Sequence, residues 1–210
     1  MLMSTTNMRI ITALVFEDYE TLDLFGPIEM FGRLKSLYRI QFASLRGGII
    51  NNQHGVALHT VKVDELPWHT DILLIVGGQG TRQLIHVPAF LTTLQQLSLQ
   101  TDWVLSVCTG SALLAKAGLL DGKRATSNKR AWAWVISQSD QVKWIPEARW
   151  VIDDKFYTSS GVSAGMDMAL GFIADQHGSA TALQLAKDIE YHWQEDSQTD
   201  NFFDNSIHGA

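Results

Sequence analysis

The chain has 210 residues, of which 46% are apolar and 18% charged, and its formal net charge is −6. This composition is typical of one folded domain and excludes a disordered chain. The acidic balance and the lack of a long basic run argue against a nucleic-acid partner, since surfaces that bind nucleic acids are cationic.

Strand-like and helix-like segments alternate along the first half of the chain. Residues 10–16 (IITALVF) are rich in branched and aromatic residues and predict a first strand. Pro27 suits the first position of a helix, so we expect a helix to begin there. The next segments predict a strand at 38–45, a strand or hairpin at 49–63, and a wholly apolar strand at 71–76.

The second half continues the alternation. Its predicted elements are a helix at 88–99, a strand at 103–107, a helix at 111–117, a short helix at 131–137, paired short strands at 150–159, and helices at 166–177 and 179–194. Such alternation predicts a single doubly wound α/β domain over residues 1–210, with a mostly parallel sheet and helices on both faces. Residues 1–8 and about 200–210 are expected to be flexible ends.

Several negative observations bear on location and partners. One cysteine cannot form an internal disulfide, and the N-terminus lacks the pattern of a secretory signal, so a cytoplasmic location is expected. The longest apolar runs are far shorter than the roughly 20 residues that cross a bilayer, so no membrane partner is expected. The seven histidines are scattered without a metal-ligand spacing, so no metal is predicted.

The only cysteine, Cys108, follows the strand at 103–107 and precedes a helix. A free cysteine is often a small buried hydrophobe, which is one interpretation. The other is a nucleophile on a sharp strand-to-helix turn, since Gly110 permits tight backbone packing and the helix N-terminus lowers a thiol pKa. The residues around Cys108 leave both interpretations open.

Two further segments lie where other strands end. The sequence Gly77–Gly80 (GGQG) is either a tight turn or a loop whose N–H groups stabilise a developing oxyanion. Asp23 is flanked by Leu22 and Leu24, which predicts partial burial, a raised pKa and a role as acid or base. The other interpretation of this carboxylate is simple solvation of a loop or helix start.

Four segments together carry a resemblance to a known family. They are LDLFGP (22–27), IVGGQG (75–80), SVCTGSALLAKAGLLDGKRAT (106–126) and SSGVSAGMDMAL (159–170). With these, the chain resembles the ThiJ/PfpI family of the class I glutamine-amidotransferase-like superfamily, which implies a flavodoxin-like fold. More closely, it is similar to the isonitrile hydratase branch and to the sensor domains of AraC-type regulators.

The resemblance implies a role for each matching residue. Cys108 would be the nucleophile, and Asp23 the acidic residue close to its thiol. The N–H groups of Gly78 and Thr109 would be oxyanion donors, with Gly77 in the same loop, and the Thr109 hydroxyl would lie beside the reacting carbon. The family also implies a homodimer, a small-molecule substrate and no cofactor.

This chain departs from the family pattern at two positions. Protease-like members carry a histidine directly after the cysteine, whereas this chain has Thr109, so peptidase activity is not expected. Many relatives have a histidine where this chain has Asn128. An amide can hydrogen-bond a substrate but does not exchange protons near neutral pH, so Asn128 is assigned to substrate binding.

Two functions follow from the resemblance. The first is a cofactor-independent enzyme in which Cys108 attacks an isocyanide, forms a thioimidate and releases an N-substituted formamide, or a related small-molecule hydrolase or lyase. The second is a non-catalytic module that responds to a ligand or to oxidation of Cys108. It would resemble the regulator sensor domains without their DNA-binding domain, for which a chain ending near residue 210 is expected to have no room.

Overall fold

The computed structural model describes residues 8–204. The strands in this range are β1 (Arg9–Leu14), β2 (Tyr38–Ser44), β3 (Gly48–Asn51), β4 (Ala57–Lys62), β5 (Ile72–Ile75), β6 (Trp103–Ser106), β7 (Arg124–Ala125), β8 (Lys143–Trp144), β9 (Trp150–Asp153) and β10 (Phe156–Ser159). The helices are α1 (Thr21–Arg33), α2 (Thr81–Leu84), α3 (Pro88–Gln100), α4 (Gly110–Lys116), α5 (Trp132–Ile136), α6 (Ala164–His177) and α7 (Ser179–Asp188). Within the described range, no helix combines the length and apolar character that crossing a bilayer requires.

Eight of the strands form one sheet in the order β3-β4-β2-β1-β5-β6-β10-β9. Neighbouring strands are parallel from β4 to β10, while β3 and β9 pair antiparallel at the two edges. All four residues of β5 (ILLI) are buried, and so are all of β10, which shows that helices cover both faces of the sheet. The predicted doubly wound, mostly parallel α/β fold is therefore confirmed.

The strand order places a topological switch point beside β1. The chain leaves β1 through α1 to β2 on one side, and later returns as β5 on the other side. The carboxyl ends of β1, β5 and β6 consequently meet at one edge, where a crevice opens between the diverging connections. Asp23, the Gly77–Gly80 loop and Cys108 all follow these three strands.

Two helix boundaries differ from the sequence predictions by more than two residues. Helix α1 begins at Thr21, six residues before Pro27, so that Pro27 lies inside the helix. It is tolerated there because α1 packs closely on α6: a Cβ on Gly165 would lie 3.5 Å from Pro27 Cγ. The predicted helix at 179–194 ends at Asp188. Glu190 has a φ of 54°, in the left-handed region, and an α-helix cannot continue through this backbone conformation. Helix α2 and the short strands β7 and β8 were not predicted.

Most of the predicted flexible ends lies outside the described residues. Asp200 lies within the described residues. The prediction places it in the C-terminal flexible end, but its side chain is buried, with an exposed fraction of only 3%. Ion pairs with two buried cations hold it, as described below.

Candidate active site

Cys108 lies two residues after the end of β6 in a strained backbone conformation. Its φ is +58°, in the left-handed region that residues other than glycine rarely adopt. Hydrogen bonds on both sides hold this conformation: Cys108 N–H donates to the Ser160 carbonyl at 3.1 Å, and Ser127 Oγ donates to the Cys108 carbonyl at 2.8 Å. A conformation so firmly imposed on a thiol-bearing residue is typical of functional sites.

Gly110 allows the turn after Cys108 to pack against the end of β5. A Cβ built on Gly110 would lie 2.7 Å from the Ile75 carbonyl oxygen and 3.0 Å from that of Val76. Real Cβ atoms do not approach backbone oxygens so closely, so any larger residue must push α4 away from the sheet.

We therefore expect Gly110→Ala to destabilise the protein by about 2 kcal/mol through overpacking. For a chain of this size, that lowers Tm by about 4–8 °C in a thermal unfolding experiment followed by circular dichroism. The matched control is Gly32→Ala in α1, whose Cβ would make an ordinary 3.8 Å contact with Ile40 Cδ1. Its Tm should stay the same or rise slightly, since alanine favours the helix. Equal Tm values for the two variants would contradict the close packing of the turn.

Asp23 lies in the first turn of α1 and is fully buried beside Cys108. Its Oδ2 accepts a hydrogen bond from the Gly77 N–H at 3.0 Å. Its Oδ1 makes no hydrogen bond of ordinary length, yet the carboxyl lies close enough to the Cys108 thiol and the Val162 N–H for both to favour its ionised form. Burial outweighs the effect of these hydrogen-bonding groups and, together with the charge of Glu20, raises the pKa of Asp23 from 3.8 to about 7.

The Cys108 thiol shares this environment. Burial and the charge of Asp23 raise its pKa, against the opposing effects of the Thr109 and Val162 N–H groups and the Asn128 side chain. The lowered pKa expected from the helix N-terminus is thus wrong for this site, because the thiol is buried and faces a carboxylate. Above the pKa of Asp23 the pair therefore holds one proton, which lies on the thiol, and the Asp23 carboxylate beside it is the group that can accept this proton.

Asn128 donates from Nδ2 to Cys108 Sγ at 3.1 Å. Its Oδ1 accepts from the Ala131 N–H at 2.9 Å, which defines the orientation of the amide. A Cβ on Gly161 would lie 2.3 Å from Asn128 Nδ2, so only glycine leaves room for this side chain. The residue that replaces the histidine of many relatives is therefore in direct contact with the thiol.

In the loop predicted to stabilise an oxyanion, the N–H groups of Gly77 and Gly78 already have partners. Gly77 N–H donates to Asp23, and Gly78 N–H donates to Thr109 Oγ1 at 3.1 Å. The Thr109 hydroxyl also accepts from Thr81 Oγ1 at 3.2 Å. The Gly77 N–H thus orients the Asp23 carboxyl, and the Gly78 N–H orients the Thr109 hydroxyl. Each N–H can bind a substrate only after it gives up this hydrogen bond.

A pocket of about 330 Å³ opens onto the thiol. Two cationic residues that the sequence analysis did not select, Arg82 and Arg130, line it together with Glu20. The only feature of the sequence that could have pointed to them is their position: Arg82 comes two residues after the Gly77–Gly80 loop, and Arg130 comes two residues after Asn128. Within residues 8–204, no group of three or more His, Cys, Asp or Glu side chains is arranged to hold a metal ion.

A buried group of charges supports the segment that carries Asn128. Lys129 Nζ lies 3.8 Å from Asp200 Oδ2, and Arg149 bridges Asp200 Oδ1 at 3.6 Å and Asp167 Oδ2 at 2.6 Å. All four side chains are at most 9% exposed. Burial lowers the pKa of Lys129 to about 8, although the Asp200 charge opposes this effect. The network attaches the C-terminal segment to the residue next to Asn128.

Asp200→Asn is expected to destabilise the protein by about 3 kcal/mol, because it leaves the buried Lys129 ammonium without its countercharge. Thermal unfolding should show a fall in Tm of about 6–12 °C. Adding Lys129→Met should restore part of the loss by removing the uncompensated charge. Asp196→Asn, which changes an exposed carboxylate of the same segment, is the control and should change stability by less than about 0.5 kcal/mol. Similar Tm values for Asp200→Asn and the control would refute the role of the network.

Comparison with known proteins agrees with this geometry. The model of the DJ-1/PfpI family matches residues 9–175. An isonitrile hydratase from Pseudomonas putida is 32% identical over 189 residues, covering 85% of this chain and 76% of the relative. The HTH-type transcriptional regulator CdhR from Pseudomonas aeruginosa is 30% identical over 77% of this chain, which spans about half (48%) of the regulator's length.

A solved structure of a ThiJ/PfpI family protein from Pseudomonas syringae superimposes with a TM-score of 0.77 at 28% identity, covering 89% of this chain and 76% of that one. The family match spans most of the chain and includes every strand of the main sheet and all the residues around Cys108. The chain therefore belongs to the DJ-1/PfpI family.

Proposed function

We propose that this protein is a cysteine-dependent hydratase that converts isocyanides to N-substituted formamides. The observation that carries the proposal is the buried pair of Asp23 and Cys108, with the thiol at the wall of a pocket. A raised carboxyl pKa beside a nucleophile is suited to taking up a proton and returning it. The 32% identity to an isonitrile hydratase supports this choice of substrate.

In the first step, Asp23 takes the thiol proton while Cys108 Sγ attacks the terminal carbon of the isocyanide. The same carbon then receives the proton from Asp23, which gives a covalent thioimidate with an S–CH=N linkage. Sulfur is a good nucleophile and also a good leaving group, so a covalent path divides one difficult hydration into two easier steps. The transfer needs no cofactor, because no electrons leave the system.

In the second step, water adds to the thioimidate carbon. Asp23, again a carboxylate, accepts a proton from this water and passes it to the imine nitrogen, so that one water is added in total. As the tetrahedral intermediate collapses, Asp23 accepts the proton of the new hydroxyl group, Cys108 leaves as the thiolate and recovers that proton from Asp23, and the formamide is released. The pair returns to its initial protonation state.

The neighbouring residues would hold this pair in place. Asn128 directs an amide N–H to the sulfur at 3.1 Å, which favours the thiolate over the thiol. Gly77 orients Asp23, and Gly78 orients the hydroxyl of Thr109, which lines the same pocket as Cys108 and can bind the substrate or the attacking water. In this proposal the two glycines act mainly by positioning other groups.

Incubation of the protein with p-nitrophenyl isocyanide tests the proposal. We expect the corresponding formamide to accumulate catalytically, and chromatography with mass detection measures it. A panel of other small electrophiles, including α-oxoaldehydes, tests a related hydrolase or lyase with the same residues. No formamide above the rate without protein would refute the hydratase assignment.

A sensing function has one specific observation in its favour. The regulator CdhR matches this chain at 30% identity, close to the 32% of the hydratase. A sensor would use Cys108 as the ligand-contacting or oxidised residue, without proton transfer by Asp23. A thiol that forms a stable sulfenic acid with hydrogen peroxide, in a protein that produces no formamide, would favour sensing.

Assembly and location stay predictions. The family resemblance is the basis for expecting a homodimer, whereas the cytoplasmic location and the lack of nucleic-acid or membrane partners are expected from composition and sequence pattern. Light scattering coupled to size-exclusion chromatography measures the assembly directly, since the monomer mass is 23.4 kDa.

A further inference from the structure

Two guanidinium groups line the pocket that contains Cys108. Arg82 extends from α2, just after the Gly77–Gly80 loop, and Arg130 extends from the segment after Asn128. The catalytic steps proposed above use neither of them. Guanidinium groups in a small pocket are therefore available for a different task.

Arg82 is held in place by an aromatic ring. Its guanidinium carbon lies 4.2 Å from the centre of the Trp134 ring, a stacking arrangement that restricts the side chain. Its two hydrogen bonds are long, at 3.4 Å to the Gly78 carbonyl and 3.3 Å to Thr81 Oγ1. Most of its five N–H donors consequently remain available. Partial burial lowers its pKa, and the proximity of Cys108 opposes that effect.

Among the described residues, no carboxylate of the pocket contacts these two cations. Within residues 8–204, neither Arg82 nor Arg130 forms an ion pair within 4.0 Å of a carboxylate oxygen. The single acidic residue among the lining residues, Glu20, lies 3.9 Å from His54 Nδ1 and is directed to that side chain. Asp23, the other carboxylate near the thiol, is fully buried and does not line the pocket, so on the face open to a ligand two positive charges stand against one carboxylate.

We propose that Arg82 and Arg130 bind a carboxylate or similar planar oxyanion of the substrate, so that the pocket selects small electrophiles that carry a negative charge. The planar fork of a guanidinium matches a carboxylate geometrically and binds it through two parallel hydrogen bonds. The inference rests on the proposed function only in taking Cys108 as the residue that meets the substrate. Among isocyanides it predicts a preference for those with an acidic substituent over neutral ones of similar size.

Alkylation of Cys108 tests this inference independently of turnover. Iodoacetate and iodoacetamide are nearly identical in size, and each forms the same S–CH₂ bond with loss of iodide, but only iodoacetate is an anion. Because the chain has one cysteine, mass spectrometry follows a single reaction. A change in the pKa of the thiol affects both reagents alike and cancels in the ratio of their rates.

We expect Arg82→Gln to lower the iodoacetate-to-iodoacetamide rate ratio about tenfold, as the loss of a charge-assisted hydrogen bond implies. Arg82→Lys should give an intermediate ratio, and Arg130→Gln a smaller decrease of about threefold. The control is Arg39→Gln, which removes an arginine stacked on a tryptophan (Trp68, 4.8 Å) that does not line this pocket. It should leave the ratio unchanged.

An unchanged ratio in both Arg82→Gln and Arg130→Gln would overturn the inference. If Arg82→Gln slows both reagents equally, the inference is also overturned, because Arg82 would then stabilise the thiolate and not the anionic reagent. Failure of the folded protein to react with either reagent would also overturn it, since the pocket would then not admit a small anion. A lowered ratio without any formamide production would uphold anion binding and refute the hydratase function. Formamide production with an unchanged ratio would uphold the hydratase function and refute anion binding.

Isocyanoacetate and its methyl ester extend the test to turnover. We expect the wild type to have a higher kcat/KM for the anion than for the ester. Arg82→Gln should remove this preference mainly through KM, because the guanidinium binds a group remote from the reacting carbon. A preference that survives the substitution would contradict the inference.

Discussion

Replacement of Cys108 by alanine is expected to reduce formamide production from p-nitrophenyl isocyanide to the rate measured without protein. The thiol is the attacking group, and no other cysteine exists in the chain to replace it. Alanine is smaller than cysteine, so it fits the site without a clash. The loss should therefore appear in kcat while the variant keeps the secondary structure of the wild type.

Cys108→Ser is the conservative companion of this variant. A serine hydroxyl keeps the shape of the site but is far less acidic and less nucleophilic than a thiol, so we expect it to be inactive as well. Measurement of formamide release under single-turnover conditions separates a slow chemical step from slow product release. Alanine or serine variants that retain more than about 1% of the wild-type rate would exclude covalent catalysis by Cys108.

Asp23→Asn is expected to lower kcat/KM by a factor of about 10²–10⁴, the range of general acid–base contributions. Asparagine keeps the size of aspartate and can still accept a hydrogen bond from the Gly77 N–H. It cannot take the thiol proton or return it to the substrate carbon. The variant thus removes proton transfer and little else.

The pH dependence gives a second measure of Asp23. Below pH 7 both groups of the pair hold a proton, and no base is present to accept the proton of the thiol. As the pH rises through about 7, the carboxyl ionises and the active form of the pair appears. Wild-type kcat/KM should therefore rise over this range and then level off, while the residual activity of Asp23→Asn should lack the rise.

The same substitution should make the protein more stable. The pKa of Asp23 is 3.8 when the carboxyl is exposed and about 7 in the folded protein, so the folded state holds its proton more tightly. This contribution to stability is fully present below pH 3.8 and is lost as the pH rises through about 7. At pH 8 the wild type therefore buries an ionised carboxylate, and Asp23→Asn should be more stable by on the order of 2–4 kcal/mol.

Thermal unfolding at pH 5 and pH 8 measures this difference, which should be larger at pH 8. The control is Asp71→Asn, a carboxylate that accepts a hydrogen bond from the Ile10 N–H at the opposite end of the sheet. It should leave kcat/KM unchanged and should not stabilise the protein. Full activity of Asp23→Asn would refute the catalytic role, and lower stability of this variant at pH 8 would refute the cost of burying the carboxylate.

Local sequence patterns determined most of the fold. The central strands β1, β5 and β6 are short and mostly apolar, as in ILLI of β5, and such runs are stable only when both faces are covered. The alternation of these runs with helical segments then admits few arrangements besides a doubly wound sheet. The position of Cys108 after β6 and of Gly110 two residues later is also a local property, which is why the turn could be predicted.

Other features depended on contacts between distant parts of the chain. The start of α1 before Pro27 follows from close packing against α6, which no local pattern records. The direction of the Cys108 pKa shift depends on burial and on a carboxylate 85 positions away in the sequence, and both act against the local effect of the helix N-terminus. A sequence shows the nearby helix but not the distant charge.

The sequence by itself therefore determined the sheet, the family and the residues at the turn, because each depends on the order of neighbouring side chains. Only the tertiary structure decided the protonation of the Asp23–Cys108 pair, the engagement of the Gly77 and Gly78 N–H groups, and the presence of Arg82 and Arg130 beside the thiol. These properties depend on burial and on charges brought together from separate elements. Solvent exclusion and Coulomb interactions act through space, so their sign is defined only once the chain has folded.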